Sequence, residues 1–156
     1  ARAAVVASRA ELERWAGVDA PMLLGAPMPD EMKPVLGAMF GQMDSTSTAT
    51  EVRGLGASPG VVIGIARIID NLDDADRLED GDVLIAKTTS PPWTPLFGVA
   101  AAVVTDAGGP MSHVAIVARE YGIPAVVGTV EATKLILDGQ QVRVDGSAGT
   151  VELLED

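Results

Sequence analysis

One pattern constrains this chain of 156 residues more than any other: AAVVTDAGGPMSHVAIVAREYGIPAVVG, Ala101 to Gly128. Its apolar start, Ala101–Thr105, predicts a buried strand, and the Gly108–Gly109 pair predicts a tight turn. Ser112–Tyr121 predicts a helix, closed by Gly122 where a left-handed cap is wanted and by Pro124 just beyond. Ala125–Val127 predicts a further strand. This order belongs to a mixed α/β domain.

The flanking sequence extends the same alternation. Gly60–Asp70 (GVVIGIARIID) reads as a strand with a possible bend at Gly64, Asp82–Ala86 as a second, and Ser90–Gly98 as a short proline-initiated helix. A short helix is expected over Ala132–Leu137, followed by strands Gln141–Val144 and Thr150–Leu153 joined by a Gly146–Gly149 turn. GLGASPG (Gly54–Gly60) superficially suggests a dinucleotide loop. Its spacing is wrong and it precedes a strand, so it reads as turn glycines. No repeat of solenoid length is present.

The first fifty residues differ. Residues 3–16 read as a helix with Val6, Leu12 and Trp15 along one side, and Pro21, Pro27 and Pro29 break the segment after it. A second helix is expected from Asp30, its N-cap, to Phe40, ended by Gly41. The polar stretch DSTSTAT (Asp44–Thr50) reads as a linker, and the domain boundary is expected there: 1–50 a helical linker or the edge of a neighbouring domain, 51–156 the α/β domain.

Composition excludes several function classes. With 22 acidic residues against 11 basic ones the net charge is −11, which opposes binding to nucleic acid or an anionic membrane. The chain has no cysteine, hence no disulfide, thiolate nucleophile or thiolate zinc site, and the single His113 cannot form a multi-histidine cage. Asp70–Asp82 holds seven acids against Arg77 alone; it reads as a solvated loop and short helix, with a carboxylate-only cation site the remaining option. Arg2, Arg9, Glu11, Glu13 and Arg14 interrupt any signal-peptide core, and Pro91, Pro92 and Pro95 interrupt the longest charge-free stretch. A cytoplasmic location is the default expectation. A start at Ala1 suggests a piece of a longer polypeptide.

The chemistry concentrates at the glycine turn. A helix N-terminus presents free N–H groups and the positive end of the dipole to an anion, and glycines let the backbone approach it closely. A neutral imidazole in the first turn is a nucleophile. If His113 attacked a phosphoryl group, backbone donors would lie where the new phosphohistidine oxygens form. The plain structural alternative is a satisfied polar residue at a helix start, with Ser112 as the helix cap.

GGPMSHVAIVAREYGIPAVVG (Gly108–Gly128) closely resembles the phosphohistidine signature of the phosphoenolpyruvate-utilising enzymes, a group that includes pyruvate phosphate dikinase, phosphoenolpyruvate synthase and rifampin phosphotransferase. The resemblance runs from GLGASPGVVIGIARII, similar to the family's opening strand, through SPPWTPLFGVAAAVVTDAGG to the DGQQVRVDGSAGTVEL hairpin, roughly residues 51–154. It implies a swivelling β/β/α domain that accepts a phosphoryl group at one active site and delivers it at another. Carried over by position, His113 matches the phosphorylated histidine, Gly108 and Gly109 the glycine pair, Ser112 the small hydroxyl residue before it, and Arg119 the basic residue late in the helix. It implies no cofactor or metal on this domain. An ATP-grasp domain using ATP and Mg and an acceptor-binding domain are the implied partners.

One departure stands out. Met111 occupies the position where dikinases and the synthase usually have threonine, a regulatory phosphorylation target in dikinases, so such regulation is not expected here. This apolar residue and SPPWTPLF look more like the rifampin phosphotransferase branch, whose histidine domain is C-terminal. The alternatives are a domain from a phosphoenolpyruvate synthase or dikinase, and a non-catalytic interaction module on the same fold.

Overall fold

A computed structural model describes residues 2–15, 18, 29–40 and 47–154. The N-terminal helix α1 (Arg2–Trp15) forms as its sequence suggests, yet Val5, Val6, Leu12 and Trp15 are all exposed. Helix α2 (Lys33–Phe40) starts three residues later than its expected N-cap. Pro34 fits only a first helical turn, which holds the start at Lys33. Asp30 instead pairs with Lys33 at 2.9 Å, and that ammonium holds its carboxyl below the usual value. The breaks expected at Pro21 and Pro27, the stop at Gly41, and Asp44–Thr46 lie outside the described residues.

Ser47–Thr50, the end of the expected linker, is hydrogen-bonded to the α/β domain. Thr48 Oγ1 accepts from Glu51 N at 3.1 Å, Ser47 Oγ from Arg53 N at 3.1 Å, and Thr50 O from Leu153 N at 2.9 Å. Two short strands come next where the sequence suggested none: β1 (Glu51–Arg53) and β2 (Leu55–Ser58). GLGASPG is therefore not a run of turn glycines alone. Three- and four-residue strands containing glycine show no readable period, and pairing with distant segments makes them: β1 with β8 and β2 with β6.

The remaining elements keep the expected order: β3 (Val61–Ile68), a 3₁₀ turn (Leu72–Arg77), β4 (Val83–Ala86), a 3₁₀ helix (Pro91–Gly98), β5 (Ala102–Thr105), α3 (His113–Tyr121), β6 (Ala125–Val127), α4 (Ala132–Leu135), β7 (Gln141–Asp145) and β8 (Thr150–Leu153). α4 stops two residues short of its expected end because Ile136 turns extended and its side chain is buried. The strands order as β1-β8-β7-β3-β4-β5-β6-β2. β3 links the two halves. Val61–Ile65 pair antiparallel with β7, and just after Gly64 the strand changes partner, with Ala66–Ile68 pairing parallel to β4.

Alternation along the strands creates two cores. Val83, Ile85, Ala102, Val104 and Val126 face Val52, Val142, Val144 and Val151 of the antiparallel half, making a β-on-β layer. Leu84, Ala86, Val103 and Val127 face the other way, onto α3 and the 3₁₀ helix with Trp93 and Phe97. The result is the expected β/β/α arrangement. Full burial of a side chain such as Leu84 or Phe97 contributes about 1.5–3 kcal/mol.

The acidic run behaves as a solvated turn with one exception. Asp82 is buried, and its Oδ2 accepts from Arg67 Nε and from Glu79 N, each at 3.0 Å. That hydrogen bond holds the Arg67 guanidinium above its ordinary value. Among the described residues no cluster of three or more acidic or histidine side chains could hold a metal ion. Replacing Asp82 with alanine strands both donors, and a loss of about 2–3 kcal/mol is expected in chemical denaturation.

Candidate phosphoryl-acceptor site

The site stands at the C-terminal ends of the parallel strands β4, β5 and β6, the usual place for a ligand on such a sheet. All four residues of β5 are buried. As the chain leaves the sheet, Asp106 N donates to Ala86 O at 3.1 Å and Ala107 N to Lys87 O at 2.9 Å, which fixes the first two residues of the loop. Gly108 then adopts φ +131°, a conformation closed to most side chains, and a Cβ there would meet Ser112 Oγ at 3.1 Å. Glycine is required at that position. Gly109 is buried, and its carbonyl accepts from Ser112 N at 2.9 Å.

Ser112 is the N-cap of α3. Its backbone is extended (φ −67°, ψ 159°) and its Oγ accepts from Ala115 N at 3.4 Å. His113 is the first helical residue. Val114, Ala115, Val117 and Ala118 anchor the helix in the core, so its N-terminus is held against the glycine loop. Gly122 closes the far end with φ 69°, as expected.

The imidazole of His113 is partly buried and meets the ring of Phe97 edge-on, centroids 6.2 Å apart at 78°. Phe97 belongs to the proline-initiated 3₁₀ helix, so the SPPWTPLF segment forms one wall of the site. Among the described residues three buried side-chain polar atoms have no hydrogen-bond partner: His113 Nε2, Thr105 Oγ1 and Thr89 Oγ1. All belong to residues at or following the ends of β4 and β5 or at the start of α3. A buried polar atom left unpaired costs about 1–3 kcal/mol. Met111, beside the histidine, is 86% exposed.

Gly108, Gly109, Ser112 and His113 thus come together. Arg119 does not join them: six residues further along, it stands about 9 Å down the helix axis. Its Nε donates to Ala57 O at 2.7 Å, tying α3 to β2 through a backbone carbonyl. Sequence reasoning missed Phe97 as a neighbour of the site, and it missed a second supporting layer. Thr129 and Thr133, after β6, both bond the Asp106 carboxylate, and Val130 between them has φ +72°. For a β-branched residue that conformation costs about 1–3 kcal/mol. The only sequence signal was the abrupt polar end of the apolar run at Thr105–Asp106.

Comparison with known proteins decides the family. Residues 78–149 match the PEP-utilising enzyme, mobile domain family. The chain carries the mobile domain of the PEP-utilising enzymes. Over 106 residues, 68% of its length, it is 55% identical to a rifampicin phosphotransferase of Bacillus cereus, of which it spans 12%. A phosphoenolpyruvate synthase of Aeropyrum pernix is 54% identical over 101 residues, 64% of this chain and 12% of the synthase. Chondramide synthase cmdD of Chondromyces crocatus is 46% identical over 154 residues, 95% of this chain but 4% of that protein. The mobile domain therefore spans a small part of each relative. The first two identities are within one percentage point, so identity does not separate the two branches.

Proposed function

We propose that this mobile domain is a phosphocarrier in which His113 receives a phosphoryl group from an ATP-dependent partner domain and passes it to an acceptor at a second site. The observation that carries this reading is an imidazole on the first turn of a helix, directly behind a glycine turn at the ends of parallel strands. In the loading step an imidazole nitrogen attacks phosphorus, a P–N bond forms, and the P–O bond to the leaving phosphate oxygen breaks with its electron pair. In delivery an acceptor oxygen attacks, the P–N bond breaks, and the acceptor's proton is lost. The amides of the helix N-terminus and glycine loop hold the phosphoryl oxygens in both steps. Gly108 and Gly109 admit the group, and Ser112 orders the first turn. ATP and Mg belong to an ATP-grasp partner domain in this reading. The residues before Ser47 belong outside the carrier domain in this reading, and the protein works in the cytoplasm.

Met111 and the SPPWTPLF wall favour the rifampin phosphotransferase branch. The similarity to a phosphoenolpyruvate synthase supports a second reading, a carrier serving pyruvate. Incubation of the chain with an ATP-binding half from a rifampicin phosphotransferase and γ-labelled ATP tests the carrier reading. The expected product is a label stable in alkali and lost in acid. A chain that takes no label from an active donor is a non-catalytic module instead.

A further inference from the structure

We propose that Asp106 is the positioning residue of the acceptor site: its carboxylate ties the glycine loop to the β6–α4 connection and thereby sets the direction of the backbone donors in front of His113. Asp106 is the last residue before the loop Ala107–Gly109 and joins it to three segments. Its N–H donates to Ala86 O at 3.1 Å, and its carbonyl accepts from Val130 N at 2.9 Å. Oδ1 accepts from Thr133 N at 3.0 Å and from Thr129 Oγ1 at 3.4 Å, while Oδ2 accepts from Thr133 Oγ1 at 2.5 Å. Thr129 is fully buried; its N–H donates to Thr105 O at 3.1 Å, and its one hydroxyl proton is shared between Thr105 O at 3.1 Å and Asp106 Oδ1 at 3.4 Å. Both carboxylate oxygens and both main-chain polar groups of the acid thus bond the scaffold.

The strained backbone at Val130 locates the function of this clamp. A left-handed valine persists only where its surroundings hold it, and such strain gathers at functional sites. Here Val130 N is held by the main-chain carbonyl of Asp106, and the Asp106 carboxylate holds the flanking Thr129 and Thr133. Asp106 in turn stands two residues before Gly108, whose own φ of +131° lies where the glycine backbone is free to wander. An unclamped loop would keep its sequence but lose the fixed amide directions on which transition-state stabilisation depends. The conventional alternative is an acid that only caps the connection and contributes stability.

The role in transfer rests on His113 being the phosphoryl acceptor, so the test has two independent arms. In the first, labelling rates with the ATP-binding donor half are compared for the full chain and for Asp106→Ala, Asp106→Asn and Thr133→Val. Asp106→Ala is expected to label about 10²-fold more slowly, the scale of a small misplacement of a reacting group. Asp106→Asn is expected to recover most of that rate, since its carbonyl still accepts from Thr133 N and its amide can donate to Thr133 Oγ1. In the second, the amide resonances of Gly108 and Gly109 are followed in ¹H–¹⁵N spectra, and broadening or large shifts are expected in Asp106→Ala. Adding Val130→Gly to Asp106→Ala should restore the melting temperature but not the labelling rate. Rate and stability recovering together would reduce Asp106 to a structural cap and overturn the proposal. Should Asp106→Ala not fold, Thr133→Val decides, with unchanged glycine amides and an unchanged rate counting against the clamp. If the native chain takes no label at all, the carrier reading fails, and unmoved glycine amides in the variants would be what sinks the clamp.

Discussion

Alanine at position 146 is expected to destabilise the domain by about 3 kcal/mol or more, lowering its melting temperature by roughly 10 °C or more. Gly146 lies in the turn between β7 and β8, where that hairpin crosses the chain leading from β2 to β3. A Cβ there would collide with Ser58 O and stand 2.8 Å from Ala125 N. Both are backbone atoms held by strand pairing, so neither can step aside as a side-chain end could. Gly146 N also donates to Gly60 O at 2.9 Å, so moving the turn would cost a hydrogen bond as well. Gly54, Gly56 and Gly149 show the same crowding, since a Cβ at each would have a backbone atom within 2.7 Å. Gly37 provides the control. Nothing lies within 4 Å of a Cβ there, so Gly37→Ala should leave melting unchanged or raise it slightly. Calorimetry of the two variants separates the crossing from a general intolerance of glycine replacement.

The second large effect is chemical. His113→Ala is expected to reduce alkali-stable labelling on the order of 10³-fold or more, because the variant loses the imidazole that would form the alkali-stable P–N bond. The fold should survive. The imidazole is only partly buried, its one ring contact among the described residues is edge-to-face with Phe97, and such a pair contributes about 0.5–1.5 kcal/mol. Loss of a buried unpartnered Nε2 even removes a desolvation cost. Circular dichroism and melting of His113→Ala close to the native chain, with labelling gone, would separate nucleophile from scaffold.

The site was more legible in the sequence than the frame that carries it. Strand, glycine pair, capping serine, helix and C-terminal glycine are local signals, and Ser112 and Gly122 occupy the places their chemistry suggests. Likewise Ala125–Val127 and Thr150–Leu153 fall on β6 and β8 as read. β1 and β2 were not legible because three or four residues with glycine among them define no period. Their partners are more than 60 residues away in sequence. The helix start at Lys33 went to Pro34 over Asp30, a contest between two local signals that residue preference alone did not rank. The Asp106 network was invisible for a different reason: Thr129 and Thr133 meet the acid only because β5 and β6 are neighbours.

That this fold presents His113 as a phosphoryl acceptor is tested most directly by finding the atom that carries the group. The chain would be loaded with the ATP-binding donor half, digested at alkaline pH and fragmented by electron transfer to preserve the P–N bond. One phosphoryl group is predicted, on His113, in the peptide that also contains Gly108, Gly109 and Ser112. A group on Ser112, on a threonine of the neighbouring loops or on an acidic side chain, with His113 unmodified, would contradict it.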